Sequence, residues 1–350
     1  MSIYLDSRFS KLIPYAPGEQ PKTPVKIKLN TNESPFPPSP KVRQAVMAAV
    51  ETMRLYPDPT ASAVIEALAQ TLGVRPGQVT LGNGSDEILA FCFQALCPNG
   101  VAFPDISYGF YPVYAQLYQV DIHTIPLRDD FTLAVEDYAG LGRTIVFANP
   151  NAPTGLALSR AQIATMLETN PGSLVIVDEA YIDFGAESAI PLLEQYDNLM
   201  VVGTFSKSRA MAGARLGYAV ASEALIADLN LIKYSFNPYN LNRMTLAAGA
   251  AVLEDASYFE ACAQKIINTR IIAKDKLEKS GYYCTDSMAN FIFVSHPEYE
   301  AEVLQGRLRA EGILVRWFNQ SRIKNWLRIT IGTETQMDEL VKIMDSITNK

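Results

Sequence analysis

The chain has 350 residues, 48% hydrophobic and 19% charged, with a formal net charge of -7. That composition suits a globular enzyme, and its acidic balance argues against a nucleic-acid partner, because phosphate backbones need a basic surface. No apolar run approaches the ~20 residues that span a bilayer, and the opening stretch, charged at Asp6 and Arg8, is not a secretory signal, so a cytoplasmic protein without a membrane partner is expected. The first thirty-odd residues, rich in proline and polar groups, read as irregular. Ser39-Pro40 opens a helix, an N-cap followed by proline at the first helical position. Val42, Ala45, Val46, Ala49, Val50 and Met53 continue it at helical spacing, until Tyr56-Pro57-Asp58-Pro59 breaks it. A second helix runs from about Ala61 to Leu72 and stops at Gly73. From Val79 to about Ser222, short apolar runs alternate with helical stretches: Val101-Ala102-Phe103, Ile145-Val146-Phe147, Leu174 to Val177, and Met200-Val201-Val202. Continuous runs of this kind suit strands buried on both faces, which predicts a largely parallel sheet under helices. From roughly Glu223 onward come long helical patterns, then strand-like Asn290 to Val294 and Leu327 to Thr330, as in a smaller α+β domain.

Metal catalysis is disfavoured. The two histidines, His123 and His296, make neither a three-histidine site nor a His-Glu-x-x-His motif. Cys92, Cys97, Cys262 and Cys284 form no Cys-x-x-Cys pair and read as scattered core thiols.

The chemistry concentrates in three places. Lys207, in Ser206-Lys207-Ser208-Arg209, follows the buried strand ending at Gly203. Partial desolvation there favours the neutral amine, the form that makes a Schiff base. Asp178 and Tyr181 end the preceding buried strand, where ligands bind in open α/β sheets. Asp178 can pair with a protonated ring nitrogen and Tyr181 can hydrogen-bond a phenolic oxygen, although an aspartate after a strand is also a common cap. Gly82-Asn83-Gly84-Ser85-Asp86-Glu87 passes from a strand into a helix, a geometry that offers free backbone N–H groups to one phosphate. Glu87 stands where a dinucleotide fingerprint needs its third glycine, which disfavours a nicotinamide enzyme. Ser206 and Arg215 are candidates to complete the phosphate shell.

These stretches together resemble the pyridoxal-phosphate-dependent aminotransferases of the aspartate-aminotransferase-like fold, and within them the histidinol-phosphate aminotransferase branch. The resemblance also rests on Pro14-Tyr15, Leu29 to Pro35, Tyr56-Pro57-Asp58, Ser107 to Tyr111, Asn149 to Gly155 and Leu327 to Thr330, in family order over nearly the whole chain. It implies an α/β fold with residues 1–45 as an N-terminal arm and part of the small domain. Residues 46–245 would form the large cofactor-binding domain and residues 246–350 the C-terminal small domain. It implies pyridoxal 5'-phosphate bound to Lys207, with Asp178 on the ring nitrogen, Tyr181 on the ring oxygen and Tyr108 stacked on the ring. Gly84, Ser85, Asp86, Ser206 and Arg215 would hold the cofactor phosphate, joined by Tyr56 from the other subunit of a homodimer. Tyr15, Asn32, Arg316 and Arg328 would meet the substrate. Where the family often has asparagine before the proline of Asn-Pro-Thr-Gly, this chain has Ala152. Asn151 or Asn149 is left to supply that cofactor contact. The implied reaction exchanges an amino group between histidinol phosphate and 2-oxoglutarate. An aromatic amino-acid aminotransferase and a lyase resembling threonine-phosphate decarboxylase are the alternatives.

Overall fold

The computed structural model describes residues 2–348. The N-terminal region carries β1 (Ile27–Leu29), α1 (Pro40–Val50) and α2 (Ser62–Leu72). The middle of the chain alternates β2 (Val79–Asn83), α3 (Ser85–Ala95), β3 (Val101–Pro104), α4 (Tyr111–Tyr118), β4 (Ile122–Ile125), β5 (Thr144–Ala148), α5 (Arg160–Glu168), β6 (Val175–Asp178), β7 (Leu199–Thr204) and β8 (Leu216–Ala221). Three helices follow, α6 (Glu223–Phe236), α7 (Arg243–Glu254) and α8 (Ala256–Lys279), and then β9 (Tyr283–Cys284), β10 (Phe291–Ser295), α9 (Ala301–Ala310), β11 (Ile313–Trp317), β12 (Leu327–Thr330) and α10 (Glu334–Thr348).

Seven strands form one sheet in the order β2-β8-β7-β6-β5-β3-β4. Pairing is parallel from β4 through β7, while β8 runs antiparallel to both β7 and β2. The apolar runs of the sequence lie at its centre, and the reason is visible residue by residue. Ile145, Phe147, Val175, Val177, Leu199 and Val201 face one core, whereas Val146, Ile176, Met200 and Val202 face the other. Side chains alternate across a strand, so only a strand covered on both sides reads as continuous apolar sequence. Each such fully buried side chain contributes roughly 1.5–3 kcal/mol over leaving it in water. The second sheet has the order β1-β11-β12-β10-β9 and packs its own core with α8, α9 and α10.

The helix ends follow the local sequence. Ser39 caps α1 by accepting from the Val42 N–H, with Pro40 at the first helical position, and Gly73 closes α2 at φ 69°, donating to the Ala69 and Gln70 carbonyls. Helix α1 nevertheless stops at Val50 rather than reaching Met53. The next residues form i→i+3 turns (Met53 N to Val50 O, 3.1 Å) and are exposed, and a helix end without packing is marginal. The expectation of an irregular N-terminal stretch needs correction. Ser7–Phe9 is a 3₁₀ turn, and β1 pairs in parallel with β11, Leu29 beside Val315. A strand of three residues whose partner is almost 290 residues away has no local signature. Strands β4 and β8 were also not foreseen. Strand β4 is an edge strand with three of its four residues exposed, and β8 interposes glycine and alanine among its apolar residues.

Candidate active site

Strands β5 and β6 end level with one another at the paired Ala148 and Asp178, and β7, whose Val202 is the other partner of Asp178, runs on to Thr204. The crevice beyond the carboxyl ends of such strands is where open α/β sheets place ligands. Here a cavity of about 650 Å³ lies over Ala148, Asp178, Thr204, Ser206 and Lys207. A second lobe of about 520 Å³ shares Tyr15, Tyr108, Ala152, Tyr181 and Lys207 with it and runs out to Arg316 and Arg328.

The floor of the first lobe is a buried carboxylate. Asp178 is 4% exposed and accepts hydrogen bonds from Tyr111 Oη and the Ala180 N–H, both at 3.1 Å. Burial raises its pKa to about 6, against the lowering effect of those two hydrogen bonds. The Ala180 contact means Asp178 does act as a local cap, while its other oxygen meets only a phenol. A buried carboxylate so lightly satisfied fits a cationic ring N–H. Tyr111, fully buried and bound to this carboxylate, was not singled out from sequence, although the Ser107 to Tyr111 stretch contains it. The neighbouring Glu179 is also buried, with a pKa raised by burial to about 8, but its oxygens meet the Ala189 N–H and the Ser188 hydroxyl instead of the cleft.

The loop between β2 and α3 forms one wall. Gly84 sits at φ +78°, and a Cβ there would collide with the Arg215 guanidinium. Gly217, on β8 opposite Gly82, allows the same loop to lie directly on β8. Helix α3 starts at Ser85 after Gly84, which has no side chain to cap it, so its first N–H groups are free to take an anion. Arg215, itself at φ 58°, donates from Nη2 to Asp86 Oδ2 at 2.7 Å, and Tyr108 Oη donates to Asp86 Oδ1 at 2.7 Å. The Asp86 carboxylate is thereby partnered, which leaves its main-chain N–H as the group able to face a phosphate. The Ser206 hydroxyl, 5% exposed, lies against Thr204 Oγ1 at 3.0 Å. Uncapped helix N–H groups, a guanidinium and hydroxyls together suit one phosphate monoester.

Lys207 is half-buried between the two lobes, its Nζ 5.6 Å from the Tyr181 ring centroid. Tyr181 Oη accepts from Asn32 Nδ2 at 2.9 Å. Tyr15 stacks on Phe110 with ring centroids 4.3 Å apart and lines both lobes, next to Tyr108. Asn151 and Asn149 are not brought to the cleft. Asn151 bonds Ser107 Oγ, the Ile106 carbonyl and Thr154 Oγ1, and Asn149 holds the Leu158 backbone at both ends of its amide. Their side chains stabilise the turn, and Ala152 presents a methyl group where the asparagine contact was sought.

The second lobe is built by the small sheet. Arg316 and Arg328 are direct cross-strand partners on β11 and β12, so their side chains leave the same face. Like charges opposed in this way destabilise a sheet unless an anion lies between them. Arg328 donates to the Asn30 carbonyl at 3.2 Å and lies between the Phe291 and Phe318 rings, while its Nε has no partner among the described residues. Burial pushes its pKa down, and the nearby Arg316 adds to that. Phe318 and Ile323 line the lobe from the β11–β12 connection. That connection is tied to the large sheet by Arg322, which donates to Asp105 at 2.5 Å and to the Leu127 carbonyl at 2.8 Å. Neither Phe318 nor Arg322 carries a sequence signal for this placement. Glu33, which lines the first lobe and pairs with Lys28, was likewise not singled out.

Tyr56 is not brought to the cleft of its own chain. It is 77% exposed and stacks on Tyr239 at 4.6 Å.

Residues 24–344 match the family model of aminotransferase class I and II. The histidinol-phosphate aminotransferase of Chromohalobacter salexigens is 48% identical over 350 residues, covering 99% of both chains. That of Acinetobacter baylyi is 49% identical over 97% of this chain and 96% of its own. The crystal structure of histidinol-phosphate aminotransferase from Sinorhizobium meliloti, in complex with pyridoxal-5'-phosphate, superposes with a TM-score of 0.85 at 24% identity, covering 99% of this chain and 100% of that one. The aspartate-aminotransferase-like architecture expected from sequence is therefore the one the chain adopts, and the chain belongs to the class I and II aminotransferase family, among relatives that are histidinol-phosphate aminotransferases.

Proposed function

We propose that this protein is a pyridoxal-phosphate-dependent transaminase that exchanges an amino group between histidinol phosphate and 2-oxoglutarate, in the cytoplasm and as a step of histidine biosynthesis. The observation that carries the substrate assignment is the opposed pair Arg316 and Arg328 at the mouth of the Lys207 cleft. Two fixed cations on one face suit a dianionic phosphate on the amino donor, and the same pair serves the carboxylates of the keto acid. The full-length similarity to histidinol-phosphate aminotransferases supports the same reading.

Once bound, the cofactor supplies an electron sink for the carbon that carries the amino group. The chain's own residues do the rest. Lys207 anchors the cofactor and carries a proton to and from that carbon. Asp178, held by Tyr111 and Ala180, keeps the ring nitrogen protonated. Tyr181 donates its hydroxyl to the ring oxygen, and Tyr108 packs over the ring. The Ser85 and Asp86 N–H groups, with Ser206 and Arg215, hold the phosphate, Gly84 leaving room for them. Tyr15 and Phe110 exclude water from the cleft. Tyr56 reaches the other subunit's cofactor phosphate in a two-fold dimer. Supporting that assembly, Tyr56 is exposed where it stacks on Tyr239, and its sequence neighbours Met53 and Leu55 are exposed as well. Sheet membership supports a division into an arm, a large domain and a small domain, with β1 before, β2–β8 between and β9–β12 after, while the boundaries 45/46 and 245/246 fall inside α1 and α7, whose Val42, Ala248 and Val252 pack in the core of the large sheet.

The experiment compares half-reactions with histidinol phosphate, phenylalanine and threonine phosphate, followed by the cofactor's absorbance. Histidinol phosphate should have the highest kcat/KM. A preference for phenylalanine would replace this reading with the aromatic one. Carbon dioxide released from threonine phosphate without a keto acid would replace it with the lyase.

A further inference from the structure

Asn32 lines the cleft, yet it is 1% exposed and both ends of its side-chain amide have partners. Its main-chain N–H donates to Thr330 Oγ1 at 2.9 Å. The Thr330 hydroxyl, having accepted that bond, has one proton to give, and the group within reach is Asn32 Oδ1 at 3.1 Å. The carbonyl end of the amide is thus committed to Thr330, so the amino end must face Tyr181, where Nδ2 lies 2.9 Å from Oη. The Asn290 amide donates to the Asn32 carbonyl at 3.0 Å and fixes the backbone as well. That backbone is left-handed, φ 56°, a region in which asparagine, aspartate and glycine are the usual residues. The Tyr181 hydroxyl accepts from Asn32, so its own proton must point elsewhere. Tyr181 lines both lobes beside Lys207.

We infer that Asn32 is a positioning residue rather than a substrate contact, and that its amide turns the Tyr181 hydroxyl proton into the cleft toward the cofactor's ring oxygen. This rests on the pyridoxal-phosphate reading above. A hydroxyl that accepts a hydrogen bond is also a stronger donor, so Asn32 both aims and strengthens the Tyr181 bond. A donor on the ring oxygen stabilises the form in which the nitrogen joining Lys207 to the cofactor has lost its proton. Removing Asn32 should therefore raise the pH at which that proton leaves.

The test is a pH titration of the bound cofactor's visible absorbance in the full-length enzyme. Asn32→Gly keeps the left-handed backbone and removes the donor. It should move the midpoint upward by roughly half to one pH unit, as expected for one hydrogen bond, in the same direction as Tyr181→Phe. In a Tyr181→Phe background the same substitution should add nothing. Asn32→Asp, nearly the same shape but able only to accept, should raise the midpoint more than Asn32→Gly does, and it covers the case in which the glycine variant fails to fold. A purely structural Asn32 would leave the midpoint in place, and that result overturns the proposal. So does an equal shift with and without the Tyr181 hydroxyl, or an unshifted midpoint with a raised KM for the amino donor, which would make Asn32 a substrate contact. A wild-type protein that binds no cofactor at Lys207 would instead overturn the reading beneath it, and borohydride labelling tells that case apart.

Discussion

The two lobes of the cleft are built by different means. The first takes its groups from the ends of central strands in a sheet covered on both faces, so Asp178, Ser206 and Lys207 stand on backbone that cannot move without disrupting two cores. The second is assembled from strands β11 and β12 of the small sheet, the N-terminal arm and the β11–β12 connection, and it is held to the first by contacts such as Arg322 to Asp105. The difference teaches where precision is required. Proton transfer needs reacting groups in one fixed geometry, whereas a phosphate or carboxylate is only bound, as a whole, by the forked N–H groups of the two arginines.

Substitutions in the two lobes should therefore differ in kind. Lys207→Ala should have the largest effect, since the lost proton transfer alone is worth roughly 10²–10⁴-fold in turnover. Borohydride reduction and peptide mapping should place the pyridoxyl label of the parent enzyme on Lys207. The same variant sharpens the dimer proposal. Mixed with Tyr56→Ala chains, it should regain activity in hybrids that collect both defects in one site and leave the other intact. Rigid-lobe chemistry would be refuted by label on another lysine.

Asp178→Asn should lower kcat by ~100-fold or more, and it should carry a stability signature that no residue of the second lobe shares. The pKa of Asp178 is raised from 3.8 to about 6 in the folded chain. The folded state therefore binds the proton more tightly than the unfolded state. Its ionisation costs nothing below pH 4, increasingly more from pH 4 to 6, and about 3 kcal/mol once complete above pH 6. Protein stripped of cofactor should lose stability over that window, and Asp178→Asn should flatten the loss. Thermal unfolding against pH measures it, and an unchanged slope would mean the carboxylate is not held neutral by its burial.

In the second lobe the effects should be smaller and fall on binding. Arg316→Gln should weaken histidinol phosphate by about one to two powers of ten, the value of a charge-assisted contact, and phenylalanine far less. Arg328→Gln should weaken every anionic substrate, 2-oxoglutarate included. Equal losses for phosphorylated and unphosphorylated donors with Arg316→Gln would show that the opposed arginines do not discriminate. The smallest effect is expected for Arg322→Ala, which cuts a partly exposed ion pair worth ~1 kcal/mol and so frees Phe318 and Ile323. KM should rise several-fold with kcat nearly unchanged. A fall in kcat alone would show that the connection supports the rigid lobe after all.

The legibility of the sequence follows the same division. Lys207, Asp178 and the Gly82 to Glu87 turn could be read because each closes a run of apolar residues or opens a helix, and such patterns are local. The central strands were readable for the same reason, their burial on both faces being written as unbroken apolar sequence. Tertiary structure alone decided that Asn32 meets Tyr181, that Arg316 stands opposite Arg328, that Tyr111 holds Asp178, and that Asn151 turns away from the cleft. Asn32 and Tyr181 are 149 residues apart and Arg322 and Asp105 are 217 apart. Contacts at that distance depend on how two sheets pack and which register each strand takes, and register reverses every side chain when it slips by one residue. Local pattern carries propensity and burial, but which polar groups face one another is settled when the sheets close.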